Sequence, residues 1–361
     1  MDLKNHPRFR NYIQHHTYSC MFPMYKPFVN WVNEPMFRSE YVNTDATGLR
    51  FNYTPEGSLI DLHQLKSSFI ECDVIIGGST VFGVDAISDR TTISHGISTN
   101  DVPCINLGVR GVTSYQELFL FILLQSRFPK IRRIYLCTGV NDCSLASLEG
   151  SLIYDEFGGF FGQDHYMTYP YINNFSACYD DQSFNRLKLY NAIERKYRDG
   201  GIFKILMRKF FNYKYPVEPI KNSLTDMRKS FEAKINQNIL NLSNILSTWK
   251  KLSDGHGAEI LYFLQPCIQW NTKKLSPLEQ ECFDADKKIS PNAFEYANPV
   301  FHSSYSKSVK ALCENAGIPF HDTNAAIDSL GADVDIFTDV CHLTDHGNRV
   351  VADFISQKSN T

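Results

Sequence analysis

The chain has 361 residues, of which 43% are hydrophobic and 21% charged, enough apolar matter for a substantial core and a composition that excludes a disordered or fibrous protein. A formal net charge of −3 excludes the global basic footprint of a nucleic-acid binder and points to a small or neutral substrate. No run of residues approaches the roughly 18 uninterrupted apolar positions that would span a bilayer.

The first residues, Met1 to Pro7, are polar and basic and lack the apolar centre of a signal peptide, so a cytoplasmic location is expected. Residues 1–50 carry many aromatic and turn residues (Tyr18, Phe22, Tyr25, Phe28, Trp31, Pro35, Phe37) without sustained helical periodicity. They read as part of an extension, residues 1–70, packed on a catalytic domain spanning 71–361. Ten cysteines are scattered along the chain with no C-x-x-C pair. Several, such as Cys104 and Cys137, sit in apolar strand-like runs where a reduced thiol behaves as a small hydrophobe, so buried free thiols are expected rather than a disulfide framework.

Three short β-branched runs follow, each closed by glycine: Asp73 to Ile76 before Gly77-Gly78, Val102 to Leu107 before Gly108, and Ile134 to Thr138 before Gly139. That is how buried parallel strands read. Thr113 to Phe128 places Leu118, Phe119, Ile122 and Leu123 at helical spacing, with Thr113 or Ser114 as N-cap. Strand, helix and strand at this spacing predict a βαβ unit and a parallel sheet covered by helices.

An insertion interrupts the pattern at about 145–222. It opens with an aromatic, glycine-containing stretch (Tyr154, Phe157, Gly158, Gly159, Phe160, Phe161, Tyr166, Tyr169, Tyr171) and continues with basic residues including Arg186, Lys188, Arg195, Lys196, Lys204 and Arg208. A lid, a substrate-binding element, an oligomer contact and peripheral membrane contact all stay open for it. Beyond it come a helix from about Thr225 to Leu252, a strand over Glu259–Leu264, a helix from about Ser303 to Ala316 stopped at Gly317, and a weak fifth strand at Pro319-Phe320-His321.

Functional loops of parallel α/β sheets lie at the carboxyl ends of the strands. Those loops carry Gly77-Gly78-Ser79-Thr80, Asn106-Leu107-Gly108-Val109-Arg110-Gly111 and Gly139-Val140-Asn141-Asp142, while Asp339-Val340-Cys341-His342 lies beyond the fifth strand. A serine hydroxyl becomes a competent nucleophile when a histidine takes its proton and a carboxylate orients that histidine. Ser79, His342 and Asp339 supply the three groups, and the Ser79 and Gly111 N–H groups with the Asn141 amide can serve an oxyanion. The competing structural readings are a helix N-cap for Ser79, turn chemistry for Asn141-Asp142, and a cap by Asp339 on a helix begun by His342. His342 and His346 stand four apart, but no H-E-x-x-H pattern accompanies them, so no metal is expected. The Gly108-to-Gly111 spacing lacks a following G-K-[ST] and the full dinucleotide fingerprint, so no cofactor is expected either.

These residues in this order resemble the SGNH (GDSL-like) hydrolase superfamily. The resemblance covers Asp73 to Asn141 and Asp339 to Asn348, and Asp45-Ala46-Thr47-Gly48-Leu49-Arg50 looks like a segment that often precedes the serine loop in polysaccharide-modifying members. It implies a three-layer α/β/α sandwich around a five-stranded parallel sheet, flavodoxin-like in order. It also implies Ser79 as nucleophile, His342 as base, Asp339 as its acid and Asn141 as oxyanion donor. Gly111 matches the oxyanion glycine better than Gly108, five residues after Asn106. Gly78 departs from the aspartate of the family's name motif. Gly78, Thr80, Arg110 and Asp142, neighbours in the same loops, and Trp270 are expected to touch substrate.

The expected activity is a serine esterase removing acyl groups, acetyl foremost, from a carbohydrate. A sugar O-acyltransferase using the same triad and a non-catalytic binding domain on the same fold are the alternatives. A homo-oligomer is compatible with the chain.

Overall fold

The computed structural model describes residues 6–12, 14, 21, 24–26, 28–147, 156, 158–161, 231–289 and 294–360. Cys20, Cys178 and the insertion expected at about 145–222 lie outside the described residues, except for 145–147, 156 and 158–161.

Five strands form one sheet: β5 (Glu71–Gly77), β6 (Cys104–Gly108), β7 (Lys130–Thr138), β8 (Glu259–Leu264) and β9 (Phe320–Asp322), in the spatial order β6-β5-β7-β8-β9. All four pairings are parallel. This is the flavodoxin-like order expected from the sequence, with its topological switch at β5 between β6 and β7. Four smaller strands precede it and pair as two antiparallel hairpins, β1 (Met24–Lys26) with β2 (Asn30–Val32) and β3 (Asn52–Tyr53) with β4 (Leu59–Ile60). The weak fifth strand is real but begins one residue later than expected. β7 begins four residues before the apolar run because its polar start is paid in side-chain contacts: Arg132 grips Asp73 on β5 through two hydrogen bonds of 2.9 and 2.6 Å, and Arg133 reaches Glu259 on β8 at 2.8 Å.

The sheet is covered on both faces. On β8 successive residues point to opposite sides. Phe263 packs its ring against Phe354 of the helix Asp345–Lys358, with centroids 6.5 Å apart. Its neighbour Tyr262 faces Gly139 and, with it, Tyr305 of the helix Pro299–Ala316. On that second side the long helix Phe231–His256 packs its Trp249 on Phe121 of the helix Ser114–Leu124, with centroids 5.0 Å apart. The result is a three-layer sandwich in which β5, β6 and β8 are almost entirely buried.

The helix Ser114–Leu124 starts where its chemistry dictates: Gln116 Oε1 accepts the Thr113 N–H at 2.9 Å, half of a capping box. Its buried face differs from the expected one. Leu118, Leu120, Phe121 and Leu124 are buried, whereas Phe119, Ile122 and Leu123 are exposed; the stretch is apolar nearly all round, so spacing did not single out one face. Gly317 ends its helix with φ 69°, as the glycine there predicts. The eight described cysteines, Cys72, Cys104, Cys137, Cys143, Cys267, Cys282, Cys313 and Cys341, are free and buried. No helix among the described residues is long and apolar enough to cross a membrane.

The segment Asp45–Arg50 is a strut beneath the first functional loop. Asp45 Oδ1 accepts the N–H groups of Thr47 and Leu49 at 2.7 and 3.1 Å. Arg50, wholly buried, pairs with Asp89 at 2.7 Å and donates to the carbonyls of Phe82 and Gly83 at 3.1 and 2.5 Å. It thereby satisfies carbonyls at the end of the short helix that Ser79 begins.

Candidate active site

Ser79 opens the one-turn helix Ser79–Phe82 immediately after β5, and Gly83 ends it in the left-handed region at φ 86°. The glycines around it are there for contact as much as for turning. A Cβ on Gly108, at the end of β6, would lie 2.2 Å from the Phe82 nitrogen, and a Cβ on Gly77 would lie 2.2 Å from the Cys137 carbonyl oxygen. Strand ends and helix are packed backbone to backbone, which presses Ser79 onto the sheet edge.

The loop that carries the histidine reaches the same point from the other end of the chain. Thr338 N–H donates to the His342 carbonyl at 2.9 Å, and Phe337 bridges Leu343, so residues 337–343 form a tight turn. His342 does not begin a helix, as the competing structural alternative would require; the helix starts at Asp345 with Thr344 as its cap. Within the turn Asp339 Oδ1 accepts the N–H groups of Cys341 and His342 at 2.9 and 2.7 Å. Its other oxygen, Oδ2, lies 2.6 Å from His342 Nδ1, and His342 Nε2 lies 2.6 Å from Ser79 Oγ. A carboxylate facing Nδ1 places the imidazole proton there, which leaves Nε2 to accept the serine proton.

Residues that the sequence did not flag complete this arrangement. Arg8, from the short helix Pro7–Asn11, donates through Nη1 to Asp339 Oδ2, and its Nη2 lies 3.1 Å from His342 Nδ1. The same guanidinium holds Asp85 Oδ2 through Nε at 2.8 Å and Nη2 at 2.6 Å. Burial opposes ionisation of Asp339, but Arg8 and then His342 outweigh it and hold this carboxyl well below the usual range. Burial also opposes the Arg8 charge, and Asp339 and Asp85 outweigh it. No signal in the sequence marks Arg8, because its partners stand 331 and 77 positions away.

The other expected residues divide. Asn141 lies beside Ser79's loop: its Nδ2 donates to the Val112 carbonyl at 2.7 Å, and a Cβ on Gly78 would fall 2.2 Å from that nitrogen. Glycine at 78 is therefore what admits the Asn141 amide. Gly111 stands in the left-handed region at φ 66°, and a Cβ there would be 3.4 Å from the ring of Trp31 and 3.9 Å from that of Phe161. Trp31 fixes its indole by donating to the Arg110 carbonyl at 2.8 Å. Ser79 N–H, in the first helical turn, has no acceptor within its own helix.

Thr80, Arg110, Asp142 and Trp270 are turned to other work. Thr80 Oγ1 donates to the Cys341 carbonyl and accepts from Gln265. Arg110 is bonded to Asn33 and to the Met21 carbonyl. Asp142 is buried and accepts from Ser114 N–H at 3.2 Å and Ser114 Oγ at 3.0 Å, anchoring the start of that helix. Trp270 is a core residue, 3% exposed, packed among Tyr296, Phe301, His302 and Tyr305 with its N–H on the Tyr296 carbonyl. Its large apolar ring satisfies the core, and this corrects its assignment to substrate.

Asp339, Cys341 and His342 place three potential ligand atoms within 4.8 Å. The Asp339 carboxylate already serves Arg8, His342 and two backbone N–H groups, and burial pushes the Cys341 thiol up, with Asp339 adding to the shift. A guanidinium fixed on the carboxylate opposes a second cation at the same oxygens.

No family model matches the chain, and no curated protein matches it. Solved structures do. An acetyl xylan esterase, AlAXEase, is 12% identical, with 80% of this chain and 98% of that one covered at a TM-score of 0.38. The inhibitor-bound aryl esterase of M. smegmatis is 10% identical, with 80% and 98% covered at 0.43. Axe2, an acetylxylan esterase from Geobacillus stearothermophilus, is 11% identical, with 82% and 97% covered at 0.36. These are likenesses, and the reading of the site rests on its own geometry.

Proposed function

We propose that the protein is a serine esterase of the SGNH type that removes acetyl groups from a carbohydrate through an acyl-serine intermediate. The observation that carries the proposal is the unbroken relay of 2.6 Å contacts from Ser79 Oγ through His342 to Asp339. In this reading Ser79 Oγ attacks the acyl carbonyl as His342 Nε2 takes its proton. The charge that grows on the carbonyl oxygen is met by the N–H groups of Ser79 and Gly111 and by the Asn141 amide, whose second hydrogen is not needed by Val112. As the intermediate collapses and its bond to the sugar oxygen breaks, the imidazolium gives its proton to that oxygen, which leaves as the sugar hydroxyl, and a water repeats the sequence to release acetate and free serine. Support for a sugar comes from the Trp31 and Phe161 rings against the Gly111 loop, since aromatic faces suit the apolar side of a pyranose.

A fluorophosphonate should label Ser79 in the wild type and fail to do so in Ser79→Ala and His342→Ala. Acetate release from acetylated xylo-oligosaccharides should follow the same pattern. Donor consumption that depends on an added sugar and yields an acylated sugar would assign the same triad to an O-acyltransferase. Unchanged biological activity in Ser79→Ala would favour the binding domain.

A further inference from the structure

We infer that Arg8 is a positioning residue of this site: it closes a ring of polar contacts that fixes Asp339, and through it His342, against the loop that carries Ser79. The inference rests on the esterase reading and adds to the triad a fourth member supplied by the N-terminal segment.

The ring can be followed atom by atom. Ser79 begins a short stretch of chain that ends at Asp85, six residues on. Asp85 Oδ2 accepts from Arg8 Nε and Nη2 at 2.8 and 2.6 Å; Arg8 Nη1 donates to Asp339 Oδ2; that oxygen meets His342 Nδ1 at 2.6 Å; and His342 Nε2 returns to Ser79 Oγ at 2.6 Å. A second rung runs beside it, since Thr338 Oγ1 donates to Asp85 Oδ2 at 2.6 Å. Only arginine offers donors in a planar fork wide enough to serve two carboxylates at once.

The surroundings show that the contact is built. Asp85 is held at φ 68°, a region an L residue with a side chain seldom adopts, and Gln14 pins its carbonyl at 2.7 Å. The arm that bears Arg8 is itself docked on the helix Pro277–Ile289, where Arg10 pairs with Glu281 at 2.6 Å and His6 Nε2 lies 3.2 Å from Asp286. Arg8 is 9% exposed. Asp85, Asp339 and Asp286 otherwise crowd acidic groups into one buried region. Arg8, and after it His342, hold Asp339 ionised there. Asp339 Oδ1 keeps its two backbone donors without Arg8, so loss of the guanidinium should loosen the carboxylate rather than unfold the loop.

The test uses the full chain and an activated acetyl ester, with Ser79→Ala as the blank and circular dichroism as the check on folding. Arg8→Gln should lower kcat about 10- to 100-fold with little change in KM, the scale on which outer partners of a reactive group act. Arg8→Lys, which keeps the charge but can serve only one carboxylate well, should recover part of the loss. Lys310→Gln, which removes an exposed ion pair on the helix Pro299–Ala316, should behave as wild type. In an Asp339→Asn background Arg8→Gln should cost less than about 3-fold, because a residue acting through Asp339 has nothing left to position. The low-field Nδ1 proton of His342 in NMR gives a reading without turnover and should move or broaden in Arg8→Gln. If Arg8→Gln does not fold, Asp85→Asn opens the other side of the ring and should lower kcat in the same sense. A wild-type kcat and an unmoved Nδ1 proton in Arg8→Gln overturn the inference, as do fully multiplicative losses in Arg8→Gln and Asp339→Asn. Equal turnover by wild type and Ser79→Ala would overturn the esterase reading instead, and the Nδ1 proton would still decide the role of Arg8.

Discussion

The Thr80 hydroxyl donates to the Cys341 carbonyl at 2.9 Å, joining the residue after the proposed nucleophile to the residue before the proposed base across 261 positions of sequence. Gln265, just beyond β8, donates to the same hydroxyl at 2.6 Å. The segments that follow β5 and β8 thus meet the histidine turn on one buried oxygen.

Thr80→Val keeps the shape and removes the hydroxyl, leaving a buried carbonyl and a buried amide without their partner. It should cost about 1–3 kcal/mol of stability, read as a lower midpoint in urea unfolding, and it should lower kcat as well. Thr80→Ser restores the donor and should recover most of both; equal losses in the two variants would count against the hydroxyl as the tie.

Gly78→Ala introduces a Cβ 2.2 Å from Asn141 Nδ2, and the amide has to move. The expected result is a fall in kcat on the order of 10²–10³, the usual cost of one oxyanion donor. Asn141→Ala should show a similar fall, and the double variant should be little worse than either alone. Independent, multiplicative effects would mean that Gly78 acts elsewhere.

Behind the histidine turn lies a fully buried ion pair, Lys273 Nζ to Glu279 at 2.6 Å, whose carboxylate also accepts the N–H groups of Ser276, Ile336 and Phe337. Glu279 therefore holds the strand of chain that leads into residues 337–343. Lys273→Met leaves that carboxylate without its counter-charge and should destabilise the fold by about 3–5 kcal/mol. Removing both charges in Lys273→Met/Glu279→Gln should cost less than Lys273→Met alone, as urea unfolding would show.

Asp286 sets a pH dependence of stability. Burial, with Asp339 adding and Arg8 opposing, pushes its carboxyl up to about 7, whereas an aspartate in the unfolded chain ionises near 4. Between those values the folded protein holds a proton that the unfolded chain has released. The contribution is therefore complete below about pH 4 and is lost as pH rises towards 7. Relative to Asp286→Asn, wild type should lose stability between about pH 4 and pH 7; parallel thermal midpoints for the two proteins over that range would contradict the assignment.

Much of this site was legible along the chain. Short β-branched runs closed by Gly77, Gly108 and Gly139 implied buried parallel strands, because such runs have no polar face to show to water and glycine lets strand ends and helix touch. Ser79, Asn141, Asp339 and His342 could be named because each sits in a local pattern whose chemistry is recognisable. The tertiary structure alone decided what those patterns meet. It turned Phe119, Ile122 and Leu123 outward and Trp270 into the core, since a uniformly apolar helix or a lone tryptophan carries no mark of which neighbour will cover it. It spent Thr80 and Asp142 on holding loops together. Above all it brought Arg8 onto Asp339 and Asp85. Local sequence can specify a strand or a turn, but a charge is selected by the field it enters, and that field exists only once distant segments have folded around it.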